Sequence, residues 1–165
     1  MKKVLLSITI ILSVLITFTS CKKENNNSKN NIFPIQYKME AAMPPTTGQT
    51  EPMQISSCFH YNLSYVNASG ETVNVNNVSP GWAATSFEVK SPFTAKIEGT
   101  IIYNENELPD GTIVFGGIPV IYYTQNGVQR HTVADNANRF SSKSQFLDYI
   151  STHQDKLHFK AEIAL

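Results

Sequence analysis

The chain reads as a mainly-β protein folded as an antiparallel sandwich, with one helix just before the last strand. Three observations carry that reading. Apolar and polar residues alternate over residues 59–65, 93–103 and 157–165, the period of a half-buried strand. Gln125-Asn126-Gly127 separates two β-rich segments, and Asn-Gly accepts the positive φ values of a type I′ hairpin turn. A helical apolar repeat with a capping signal occurs late, after Ser142. Thr-, Val-, Ile- and Tyr-rich segments at regular spacing fit a sandwich, with a closed barrel as the alternative.

Taken in order, the chain opens with Lys2 and Lys3 and continues in a nearly unbroken apolar run over residues 4–18. That run spans about 15 residues, short of the ~20 a helix needs to cross hydrocarbon. Thr19-Ser20-Cys21 follows, then the polar stretch Lys22-Lys23-Glu24-Asn25-Asn26-Asn27. Small residues before a cysteine suit an export peptidase that tolerates little bulk on the leaving side. Phe18-Thr19-Ser20-Cys21 resembles the lipobox of bacterial lipoproteins, with Phe18 and Ser20 in place of the more usual aliphatic and Gly or Ala. The resemblance implies that residues 1–20 are a removable signal and that the Cys21 thiol receives a diacylglycerol. The protein is then held to the cell envelope through its lipid, at the outer membrane on its periplasmic or surface face. Lys22-Lys23-Glu24 also resembles the surface-export tags of Bacteroidota lipoproteins. Residues 21–31 read as a flexible polar tether, with too little apolar surface to offset ordering; ten such residues reach roughly 17 Å.

Removing residues 1–20 leaves about 145 residues, of which 32–165 suit one domain with its own core. It also removes Lys2 and Lys3, leaving 11 basic side chains against 13 acidic ones, a net charge near −2. That balance excludes the basic footprint of a nucleic-acid-binding protein. With Cys21 acylated, Cys58 has no disulfide partner, and it reads as a small hydrophobe on a strand.

Residues 35–39 are compatible with a first strand, and residues 43–53, with Pro44, Pro45 and Pro52, with a loop wrapping the domain. Phe59, Tyr61, Leu63 and Tyr65 share one strand face; Asn67-Ala68-Ser69-Gly70 turns the chain into a second arm over residues 71–78. Pro80-Gly81 breaks the pattern before Trp82, and Phe87 and Val89 point inward from residues 86–90. Over residues 93–103, Phe93, Ala95, Ile97, Gly99, Ile101 and Tyr103 share a face. A polar loop follows over residues 104–111, then a short strand over 112–115, and Gly116-Gly117 permits a bend. Residues 118–125 and 128–133 form the Asn-Gly hairpin. Ser142 and Gln145 have capping-box spacing, and Phe146, Leu147, Tyr149 and Ile150 form the helical stripe.

Tyr65-Val66-Asn67-Ala68-Ser69-Gly70, followed by Val78, Trp82, Phe87, Pro92-Phe93, Ala95 and Gly99, resembles small Bacteroidota lipoproteins related to the mycobacterial MmpS proteins. Their pattern is a Tyr-x-Asn-x-x-Gly hairpin, a Pro-Trp and a strand running toward a glycine. The resemblance covers roughly a quarter of the chain; the Pro-Trp is split here by Gly81. It implies an immunoglobulin-like β-sandwich and an accessory or binding role.

Chemistry-bearing patterns are sparse. His60, His131, His153 and His158 lack the close, repeated spacing of a zinc site, and no metal is expected. Asn104, Glu105, Asn106, Glu107 and Asp110 offer oxygens, but without the glycine and terminal glutamate of an EF-hand loop; a turn ending in Pro109-Asp110-Gly111 accounts for them. No G-x-S-x-G elbow is present, and Gly116-Gly117 opens no helix for a phosphate. No cofactor is called for, and no enzymatic activity is expected. Tyr and Trp join a large apolar face to a polar tip, which makes Trp82, Tyr122 and Tyr123 the candidate ligand-binding residues. The expected role is a monomeric, non-enzymatic binding or accessory module for an envelope protein, a glycan or a small ligand. The alternative is a lipocalin-like barrel carrying a hydrophobic ligand, because lipocalins also place a late helix before a final strand.

Overall fold

The computed structural model describes residues 32–165, apart from 46, 47, 49 and 135; the expected signal, the expected tether and Cys21 lie outside the described residues. Strands run as β1 (Ile32–Met39), β2 (Ala42–Met43), β3 (Met53–Gln54), β4 (Phe59–Val66), β5 (Thr72–Val78), β6 (Phe87–Lys90) and β7 (Thr94–Tyr103). They continue as β8 (Ile113–Gly116), β9 (Pro119–Gln125), β10 (Val128–Val133) and β11 (Ala137–Phe140). Helix α1 (Lys143–Thr152) precedes β12 (His158–Ala164).

Two four-stranded antiparallel sheets make the sandwich, ordered β10-β9-β1-β6 and β12-β7-β4-β5. Strand alternation explains how they meet. β1 turns Phe33, Ile35, Tyr37 and Met39 inward, and β4 turns Phe59, Tyr61 and Leu63 inward. Ala95, Ile97 and Ile101 of β7 and Phe159 and Ala161 of β12 join the same core. No polar or charged residue is buried among the described residues. Two tyrosine hydroxyls span between elements instead: Tyr37 donates to the Val66 carbonyl at 2.8 Å, and Tyr61 to the Gly116 carbonyl at 2.8 Å.

The barrel alternative is corrected here. The two sheets remain separate and each ends in edge strands that pair on one side, β10 and β6 on one sheet, β12 and β5 on the other. Side chains fill the space between them, where a lipocalin-type barrel keeps room for a ligand.

Other expectations are met or refined. Asn126 and Gly127 have φ of 54° and 76°, as the type I′ turn between β9 and β10 requires. In the β4–β5 turn the Asn67 side chain accepts from the N–H groups of Ser69 and Glu71. The loop over residues 43–53 is pinched at its ends, where Ala42 and Met43 pair with Gln54 and Met53. β11 is a strand that the sequence pattern does not announce; it pairs with β8. The capping box is half formed: Ser142 Oγ accepts from the Gln145 N–H at 3.3 Å, while Gln145 reaches back to the N–H of Ser141. α1 buries Phe146 and Ile150 over one end of the sandwich. There Phe146 meets Phe59, Tyr103, Phe115 and Phe140 with ring centroids 5.2–5.6 Å apart, three of them edge-on and Phe115 tilted.

Candidate functional site

The three aromatic candidates do not form one platform. Tyr122 and Tyr123 are consecutive on β9 and therefore face opposite sides of the sheet. Tyr123 lies on the side of buried Ile121, opposite Ile35 in register. Tyr122 faces outward, donating to Glu40 Oε1 at 2.8 Å with its ring beside His131. Burial and that carboxylate together raise its phenol above the ordinary range. Glu40 also receives Lys38 at 3.1 Å, so the exposed side of Tyr122 is already engaged in a local polar chain. Trp82 is half-buried against Tyr65, 5.8 Å between ring centroids, and its carbonyl accepts the Met39 N–H. The hollow between Tyr122, Tyr123, Pro34, Gln36, Ser86 and Gln129 holds only about 90 Å³, below the ~300 Å³ typical of small-molecule sites.

A larger cleft lies at the end of the other sheet. It has a volume of about 390 Å³ and is lined by Cys58, His60, Asn77, Ile102, Tyr103, Asn104 and Glu107. Each wall has a local cause. Ser56 is bound to Val114 twice, through its N–H and through its hydroxyl, which fixes the turn that presents Cys58 one residue before β4. His60 pairs with Ile102 on the outward face of β4 and β7, because Phe59 faces the core. Asn77 sits at a register shift between β4 and β5 with φ of 55°, and its N–H bonds to the Asn62 side chain at 2.9 Å. A bulge of this kind re-aims side chains. Tyr103 is held edge-on by Phe59 and Phe146.

The polar loop after β7 forms the remaining wall. Asn104 caps a single 3₁₀ turn over Glu105–Glu107, accepting from the Asn106 N–H at 3.1 Å and donating to Glu107 Oε1 at 2.9 Å. The side-chain oxygen of Asn104, one N–H of its amide and one oxygen of Glu107 are thus occupied within the loop. Among the described residues no group of three or more His, Cys, Asp or Glu side chains is arranged to hold a metal ion.

Electrostatically the cleft is neutral to negative. Burial pushes the Cys58 thiol up and nearby Glu107 adds to the shift, with a backbone hydrogen bond offsetting part of it, so the thiol stays protonated at neutral pH. Burial and then Glu105 raise the Tyr103 phenol in the same way. A protonated thiol is a poor nucleophile. Cys58 is also half-exposed at the rim, where the sequence reading places it as a hydrophobe on a strand. The signal for this site was the alternation that turns His60 outward; the convergence of residues 58–60, 77 and 102–107 depends on sheet pairing and has no sequence mark.

His153 and His158 stay apart in role: His153 stacks on Tyr149 at the end of α1, and His158 lies 3.4 Å from the Thr100 hydroxyl on the outer face of β7 and β12. No helix among the described residues is long and apolar enough to cross a membrane. No family model, curated protein or solved structure matches this chain, so its fold and its site rest on its own residues.

Proposed function

We propose that this chain is a lipid-anchored protein of the cell envelope, held at the outer membrane through Cys21. It acts as a monomeric, non-enzymatic binding or accessory module that recognises an envelope protein, a glycan or a small ligand on its outer surface. The observation that carries the binding mode is the filled interior: the sandwich core is packed with apolar side chains, so a ligand is met on the surface and not enclosed. The anchor rests on Phe18-Thr19-Ser20-Cys21 after an apolar run of export length, and on the polar stretch that separates it from β1. More than one acyl chain makes such attachment stable, at about 0.8 kcal/mol for each buried methylene. The resemblance to MmpS-related lipoproteins supports the same accessory role.

The test is acylation and fractionation of the full chain in a bacterial host. The expected result is an N-terminal peptide beginning at Cys21 with acyl mass on its sulfur, and protein in the membrane fraction. Cys21→Ser releases it. An unmodified Cys21, or wild-type protein recovered entirely in the soluble fraction, overturns the proposal.

A further inference from the structure

We infer that the cleft bounded by His60, Asn77, Tyr103, Asn104 and Glu107 binds a neutral polyhydroxylated ligand, such as a single sugar ring at the end of a glycan. This names a ligand class for the binding role proposed above and rests on that reading.

Three features point there. First, the lining mixes residue types that donate and accept, His60, Asn77, Asn104 and Glu107. Vicinal hydroxyls, each donor and acceptor at once, satisfy such a set better than a group with one polarity does. Second, no Lys or Arg lines the cleft, and its charged member is Glu107, with Glu105 close enough to influence Tyr103. An anionic ligand would meet repulsion without a counter-charge. Third, the carboxylate is positioned in advance. Asn104 holds Glu107 Oε1, leaving Oε2 to accept from a ligand hydroxyl at little further ordering cost. At about 390 Å³ the cleft falls within the range of small-molecule sites.

Placement agrees with capture of an external ligand. Ile32, the first described residue, pairs with Lys90 at one end of the sandwich. β7 starts four residues later at Thr94 and carries the chain through its ten residues, roughly 30 Å at ~3.3 Å per step, to Tyr103 at the cleft. The site is therefore a strand's length from the point where the tether joins.

The experiment is a titration of the full, lipidated chain in detergent micelles, followed by proton–nitrogen correlation NMR. The probes are the methyl glycosides of glucose, galactose, mannose and N-acetylglucosamine, with glucuronic acid and ethanolamine as charged comparators. At least one neutral glycoside should shift the amide signals of His60, Asn77 and Asn104 saturably, and glucuronic acid should not. Glu107→Ala, at an exposed position, should weaken that binding about tenfold, the loss expected for one charge-assisted hydrogen bond, with the remaining spectrum unchanged. His60→Ala is a second, independent variant and should weaken it also. Absence of shifts with every glycoside, shifts mapping to another surface, or preference for ethanolamine would each overturn the assignment. Those outcomes leave the anchored-module reading standing, whereas an unmodified Cys21 removes that reading without altering this titration.

Discussion

Replacing Tyr61 with Phe deletes one oxygen and leaves the ring. The Tyr61 side chain is 0% exposed, and its hydroxyl donates to the Gly116 carbonyl at 2.8 Å. The edge-on contact with Phe159, 5.8 Å between centroids, survives the change. What is lost is the link between β4 and the end of β8. A buried bond of this kind contributes about 1 kcal/mol net, rising toward ~3 kcal/mol if the abandoned carbonyl stays dry. At this domain size each kcal/mol lowers the melting temperature by about 3–5 °C. Urea unfolding followed by the fluorescence of Trp82, the one tryptophan in the chain, reads the change. The midpoint should fall at constant slope, because the surface exposed on unfolding is the same. Tyr65→Phe, at a half-buried ring on the same strand, is the comparison and should stay within about 0.5 kcal/mol. A Tyr61→Phe loss below about 0.3 kcal/mol would mean that the hydroxyl does not tie the two elements together.

Gly99→Ala should destabilise by about 1–3 kcal/mol in the same urea assay, because a Cβ there would meet the Asn62 carbonyl and come within 2.8 Å of both Leu63 Cα and the Phe159 ring. Phe146→Ala should cost about 3–5 kcal/mol, measured by thermal unfolding, since its buried ring contacts four other aromatic rings at the capped end of the sandwich. Burial pushes the Tyr37 phenol up to about 12, with the Lys96 N–H offsetting part of the shift and Tyr65 adding to it. An unfolded tyrosine ionises near pH ~10, so the stability held by Tyr37 is complete below that pH and falls by about 1.4 kcal/mol per pH unit up to ~12. Tyr37→Phe should remove that share of the alkaline slope in pH-dependent unfolding; an unchanged slope would show that the phenol is not shielded.

What the sequence made legible is local. The alternation over β7 places Ala95, Ile97 and Ile101 inward, as found, because a strand's period is set within the strand. Asn126-Gly127 specifies its turn through two φ angles, and Ser142 announces the start of α1 through one bond. β11 escaped because Ala137-Asn138-Arg139-Phe140 has no alternation to read and is a strand through its pairing with β8. The half-formed capping box differs for a similar reason: only the backbone path decides whether Gln145 reaches Ser141 or Ser142. The cleft was the least accessible feature. Asn104 and Glu107 were visible as a polar loop, but Cys58, His60 and Asn77 join them only after β4 is placed between β5 and β7. The aromatic candidates show the converse: Tyr122 and Tyr123 are neighbours in sequence, and that adjacency sends them to opposite faces.

The position of β1 has a mechanical consequence. It is the first strand of the domain, yet it lies inside its sheet, with four residues paired to β6 and five to β9. A pull applied at Ile32 runs along the strand axis, while the antiparallel bonds lie across it. The two ladders are then loaded together in shear, and none can be peeled away singly as at an edge strand. A domain fixed by its N-terminal side to a moving surface would meet drag through an element gripped on both sides.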